Sequence, residues 1–394
     1  MEFTSEDKRD LAISQVVKTS NELRHLAVLD YAKYLRGVDF IYVDNINGID
    51  LLAPIKKCFK ITKGEMASVF ASDNLKVLNL DCLYRYKKSF SFNYNILLDT
   101  QIISYIEKYV KGTLDKNLFE VIKPLKKRRP IQSTVDITLY LTENCLLKES
   151  FSDKEIENIF SLFYFLNLPI MSKKKAHFEA VKQTEMIQKF YFNSSQISKL
   201  QERYYYAYCC LLKIVILHFK NYGIKQKLIE LLHFQNYETC TCDYFYINVA
   251  IEFWQKNTNF TFFGKVQKGR FDIIKILKNM AWDICHLFNT YLNFTCKGVN
   301  DPDINLPLFY TIDKRLLELS KHAKLELVAA DHERNQSLPV FSTNSINAIL
   351  SYSEQLDLLG AEKLHYRNMH RKDVNTKLLS EKLESELINL VRID

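Results

Sequence analysis

The sequence predicts an α/β protein, helix-rich overall, in which a central parallel sheet is flanked by helices. Two apolar runs, "NILLD" at 95–99 and "LPLFYTID" at 306–313, pass directly into amphipathic helical patterns, the order a parallel sheet requires. Between them lies a long stretch of apolar residues at helical spacing, read as a large helical insertion at about 150–268. Only 9 Gly and 7 Pro punctuate the 394 residues, which leaves little room for the many turns of an all-β chain.

Taken in order, residues 1–90 form a region of mixed α/β character: a helical start, "DLAISQVVKTSNELRHLAVLDYAKYL", a β-branched and aromatic run, "VDFIYV", and a polar turn at 45–48. "NILLD" then reads as a short buried strand and "TQIISYIEKYVKG" as the helix after it, with Gly112 placed to end that helix. The basic segment "KPLKKRRP", bracketed by prolines, reads as an exposed loop. "STVDITLYLTENCLLKES" is expected to be helical from about Val135, and Ser152 with Glu155 has the spacing of a capping box that opens the next helix.

In residues 270–294 the polar residues Asp272, Lys275, Asn279, Asp283, His286 and Thr290 share one stripe at about 100° per residue, and apolar side chains supply most of the rest. After "LPLFYTID" come a helix, "KRLLELSKHA", and one more candidate strand, "KLELVAA". A C-terminal extension, residues 329–394, carries a basic patch at 365–372 and ends in "LLSEKLESELINLV". The expected organisation is therefore 1–90, a core at 91–328 interrupted by the insertion, and 329–394.

The formal charge of +8 is compatible with a polyanionic partner without requiring one. Nine cysteines without paired spacing argue for free thiols in a reducing compartment, and a polar N-terminus argues against export, so a cytoplasmic protein is expected. The apolar run at 204–219 carries Lys213 and falls short of a bilayer span, so no membrane is expected as a partner. Cys240 and Cys242 lack the spacing of a structural zinc site, and no Gly-rich phosphate loop or Gly-x-Ser-x-Gly elbow occurs, which removes the main support for kinase, dinucleotide and serine-hydrolase chemistry.

What remains is a set of carboxylates. Asp99 and Asp313 each stand at the C-terminal edge of a parallel strand, where open α/β folds gather ligands, and Asp283 lies on the polar stripe of a long helix. Converging carboxylates repel, so gathering them makes physical sense mainly around a hard divalent cation. Each acid also has an ordinary reading: Asp99 as a helix N-cap, Asp283 as part of a solvated face, Glu143 as an exposed helical residue.

The ordered set resembles the PIN-domain nucleases. "NILLDTQIISYI" is similar to their opening strand, acid and helix, "NMAWDICHLFN" to their internal acidic helix, and "LPLFYTIDKRLLELS" to their late strand. The best placed match for a second acid is Glu143 in "LYLTENCLL", with Glu149, Glu179, Glu185 and Glu252 as alternatives. The resemblance covers about 91–149 and 270–328. It departs from the family at Gln101, where Asn is commoner, and in the length between first and last acids, which the insertion explains.

The resemblance implies a PIN-like fold and metal-dependent cleavage of phosphodiester bonds in nucleic acid, most often RNA, in a toxin or defence setting. Asp99, Glu143, Asp283 and Asp313 would hold one or two Mg²⁺ or Mn²⁺ ions. Thr100, Asn279 and Thr311 would orient them, and Lys275 and Lys314 would touch phosphate. Lys126, Lys127, Arg128 and Arg129 of the basic loop suit phosphate contacts as well. The rival reading is a non-catalytic binding or scaffold protein whose acids are caps and helix surface. In either case the helical insertion offers a surface for a protein partner or a second copy.

Overall fold

A computed structural model describes residues 4–59, 65–67, 69–70, 72–84, 91–126, 133–145, 153–167, 170–192, 196–295 and 304–392. The chain is helix-rich and divides into two compact units. One comprises Met1–Phe190, Phe288–Lys314 and Leu325–Val340, the other Tyr191–Leu287, Arg315–Lys324 and Phe341–Asp394. These units cut the chain differently from the three expected segments, because most of the helical insertion and the C-terminal extension fold as one body.

In chain order the strands are β1 (Val38–Val43), β2 (Ile49–Asp50), β3 (Glu65–Ala67), β4 (Asn74–Leu78), β5 (Phe92–Leu98), β6 (Ser133–Asp136), β7 (Ile304–Thr311), β8 (Leu325–Asp331) and β9 (Gln336–Phe341). They form two sheets where one central parallel sheet was expected. The first has the order β2-β4-β1-β8-β9, with β1 antiparallel to both neighbours. The second has the order β3-β7-β5-β6, with β5 parallel to β6 and β7 and β3 antiparallel to β7.

The first sheet explains why residues 1–90 are not an appendage. β1 is buried along nearly its whole length, and Phe40 and Tyr42 pack with Ala12 and Val16 of helix Ser5–Lys18, Val28 of helix Arg24–Asp30, and Leu327 and Ala329 of β8. Arg9 adds a bidentate pair, its Nε and Nη2 each 2.7 Å from an oxygen of Asp331. This fork geometry suits guanidinium and carboxylate, and the buried Asp331 is held below the usual carboxylate range: burial opposes this, but Arg9, the Arg334 backbone and the Arg334 charge outweigh it.

The second sheet follows the pattern of a doubly covered parallel sheet. β7 is buried at every position and β5 at all but its first, so both faces are packed and neither strand shows apolar–polar alternation. Helix Thr100–Val110 follows β5 with Ile102, Ile103 and Ile106 buried, and it ends at Lys111 and Gly112, whose φ of 74° is the left-handed conformation glycine adopts without strain. The segment expected to be helical from Val135 is first a strand, β6, and only then the helix Thr138–Cys145. Its parallel partner β5 supplies the ladder (Ile96 opposite Val135) that overrides the helical reading.

In the second unit, helix Gln196–Phe219 packs along helix Thr376–Val391. Tyr208 Oη donates to Glu384 Oε1 at 2.9 Å, and Lys220 pairs with Glu386 at 3.2 Å. The Trp254 indole donates to the Ile214 carbonyl at 3.2 Å, tying helix Tyr244–Lys256 to the same body. Cys209, Cys210, Cys240, Cys242 and Cys285 are free thiols. Among the described residues no helix is long and apolar enough to cross a membrane. The expected capping box at Ser152 lies outside the described residues.

Candidate functional site

The parallel register sets Leu98 of β5 opposite Tyr310 of β7, which brings the next residues, Asp99 and Thr311, together at the C-terminal ends of adjacent strands. The Asp99 backbone N–H continues the ladder to the Tyr310 carbonyl at 3.1 Å. The Thr311 hydroxyl donates to Asp99 Oδ2 at 2.7 Å and accepts from the Asp313 backbone N–H at 2.8 Å. One hydroxyl, donor and acceptor at once, thus links the first acid to the residue that carries the last.

Asp99 occupies the N-cap position of helix Thr100–Val110 with the extended backbone of a cap (φ −63°, ψ 149°), yet its side chain makes no capping hydrogen bond. Other aspartates in the chain do cap: Asp115 accepts from the Asn117 N–H at 2.7 Å and Asp243 from the Phe245 N–H at 2.9 Å. The buried Asp99 carboxylate is engaged by the neighbouring strand instead.

Thr100, the first residue of that helix, donates to Glu143 Oε2 at 2.5 Å. Glu143 stands on helix Thr138–Cys145 directly after β6, so the third parallel strand delivers a carboxyl group through the same strand-to-helix device. Burial raises its pKa, against the hydrogen bond from Thr100, which favours the ionised form. β6 itself ends on Asp136, which sequence reasoning passed over because the segment read as helix. Asp136 lies opposite Leu97 and within 3.4 Å of Asn95 Nδ2, and the β-branched alternation of "STVDI" was the signal available.

The remaining candidates are placed differently. Asp283 is half-buried on helix Ile273–Leu292 and belongs to the helical unit, as do the exposed Lys275 and Asn279. Lys314 is exposed at the start of helix Lys314–Ala323. The Lys126 ammonium is enclosed by rings, 4.3 Å from the centroid of Tyr109 and 5.1 Å from that of Phe165, and donates to the Tyr109 hydroxyl at 2.7 Å. That cation–π seat gives it a structural role. Lys127, Arg128, Arg129 and the alternative acid Glu149 lie outside the described residues.

In the C-terminal basic patch, Arg367 is buried and donates to Asn236, so it is not presented to a phosphate. Glu252, another alternative acid, pairs with Lys256 and Lys324, each at 3.0 Å.

Among the described residues no group of three or more His, Cys, Asp or Glu side chains is arranged to hold a metal ion. The expected four-carboxylate shell is therefore not assembled as a cage. At the sheet edge the Thr311 hydroxyl engages one carboxylate, that of Asp99, and the backbone of Asp313. No family model, curated protein or solved structure matches this chain.

Proposed function

We propose that the chain is a Mg²⁺- or Mn²⁺-dependent, PIN-like ribonuclease whose chemistry lies at the C-terminal edge of β5 and β7. The observation that carries this reading is the orientation of Asp99: a residue in the cap position whose carboxylate is engaged by Thr311 and does not cap its helix. Capping would explain an aspartate at this junction, and the capping bond is not made.

Asp99 and Asp313 would hold the ion, which when bound would supply a Lewis acid and a water of lowered pKa to the phosphodiester. Thr311 would fix the Asp99 carboxylate and the Asp313 backbone in place for the ion. Glu143, raised by burial and held by Thr100, is suited to take up or give a proton. Lys314, exposed beside Asp313, is positioned to meet a phosphate.

The test is cleavage of single-stranded RNA with Mg²⁺ or Mn²⁺ present and after chelation. Cleavage that requires the cation and disappears in Asp99→Asn and Asp313→Asn supports the proposal; cleavage unchanged in both variants discards the site. The second reading, a helix-rich binding protein, is favoured by the lack of a three-ligand group among the described residues. It predicts no cleavage and no change in melting temperature when Mn²⁺ is added.

A further inference from the structure

The helical unit carries an open surface pocket of about 360 Å³ that the nuclease reading does not use. It opens where helix Ile224–Tyr237 ends and helix Ala361–His370 hands over to Thr376–Val391, and it is lined by Tyr237, Glu238, Cys240, Tyr366, His370 and Asp373 among others. The volume lies at the small end of the range for ligand sites, so the occupant is a small group and not a large cofactor.

The lining has a definite chemistry. Tyr237 and Tyr366 meet edge to face, centroids 5.1 Å apart at 69°, and Tyr366 continues to the His370 ring at 4.3 Å. Aromatic faces carry negative charge density. Two carboxylates share the wall. Asp373 is 78% exposed at its side chain and has only a long contact, 3.8 Å from His370 Nδ1. Glu238 meets the ammonium groups of Lys213 and Lys382 only at 3.9 Å each. Cys240 adds no charge, since burial raises its thiol above the ordinary range. No lysine or arginine lines the pocket: Arg367 is turned to Asn236, and Lys363 sits against Tyr237 from the side, 5.2 Å from the ring centroid and 2.6 Å from its hydroxyl.

We infer that this pocket binds an organic cation, a guanidinium or primary ammonium group on a short apolar stem, with the charge between Glu238 and Asp373 and the stem against the tyrosines. Planar guanidinium satisfies both demands, stacking on an aromatic face while offering paired N–H donors to a carboxylate. Two sources present such a group, a free small molecule and a basic side chain of a peptide.

Calorimetric titration of the full chain with Nα-acetyl-arginine amide, called arginine amide below, tests the site, Nα-acetyl-citrulline amide, called citrulline amide below, serving as a neutral probe of the same shape. Saturable binding of arginine amide, at least tenfold weaker for citrulline amide, is expected. Asp373→Asn and Glu238→Gln each weaken it several-fold, and the double variant weakens it more than tenfold with the fold checked by circular dichroism. An acetyl-Gly-Arg-Gly-amide peptide that binds more tightly than arginine amide identifies a peptide side chain as the source; equal or weaker binding identifies a free cation. Absence of saturable binding by both charged probes, equal affinity for citrulline amide, or binding undiminished in the double variant overturns the inference. RNA cleavage by the double variant is expected to equal that of the wild type, so this inference and the nuclease reading fail separately.

Discussion

In the sheet-bearing unit the aspartate before helix Thr100–Val110 makes no capping bond, whereas in the helical unit the aspartate before helix Tyr244–Lys256 accepts from the Phe245 N–H at 2.9 Å. Both stand in extended backbone at a helix start, and both fit the preference of Asp for that position. What separates them is the neighbour. Beside Asp99 a parallel strand ends on Thr311, whose hydroxyl reaches the carboxylate at 2.7 Å. Around Asp243 burial dominates and pushes the carboxyl up to about 6, the Phe245 hydrogen bond opposing. The same residue type at the same kind of junction serves tertiary geometry in one place and helix initiation in the other.

Substitutions can break or sharpen this contrast. The largest effect is expected at Asp99→Asn, which keeps size and cap competence but removes the charge: cation-dependent RNA cleavage should fall by more than about a hundredfold, and retained cleavage would make Asp99 an ordinary junction residue. Next comes Thr311→Val, which removes the hydroxyl that donates to Asp99. A loss of about 10–100-fold in activity is expected, with Thr311→Ser staying near wild type; equal loss in both variants would point to packing.

A stability effect follows at Asp243. Its folded pKa, about 6, lies above the unfolded value of about 3.9. Between these values the folded state holds a proton that the unfolded state has released, so stability falls as pH rises through the window and the deficit is complete at pH 7. Asp243→Asn, still able to cap, should therefore be more stable than wild type at pH 7 by about 1–2 kcal/mol, the gain shrinking toward pH 4 in urea unfolding. A gain of the same size at both pH values would refute the titration argument. The smallest effect is expected for Asp115→Ala, an exposed cap whose loss should cost about 1 kcal/mol with RNA cleavage untouched.

How far the sequence anticipates the molecule depends on whether information is local. The strand-to-helix junctions at Asp99 and Asp313, the helix at 273–292 and the glycine stop at Gly112 are legible because apolar period and turn chemistry are written in adjacent residues. β6 is not legible, because four residues, "STVD", offer too short a pattern and the strand exists by pairing with β5. The first sheet is hidden for the same reason, since nothing near Val38 announces Asp331 as its partner. Lys126 looks like surface charge in a basic run, and the rings that enclose it come from separate elements: Tyr109, Phe119 and Phe165. The positions of Asp99 and Asp313 as edge residues are readable from the chain, but the hydroxyl bridge through Thr311 is a product of strand register.

The Arg9–Asp331 fork joins positions 322 apart, and β1 takes β8 as a ladder partner across a similar span. During synthesis helix Ser5–Lys18 and β1 must therefore wait, with one flank of β1 open, until β8 has left the ribosome. Closing so long a loop is entropically costly and slow. An interrupted translation product ending before β8 would expose a hydrogen-bonding edge that invites intermolecular pairing, making such fragments strong candidates for chaperone capture or aggregation.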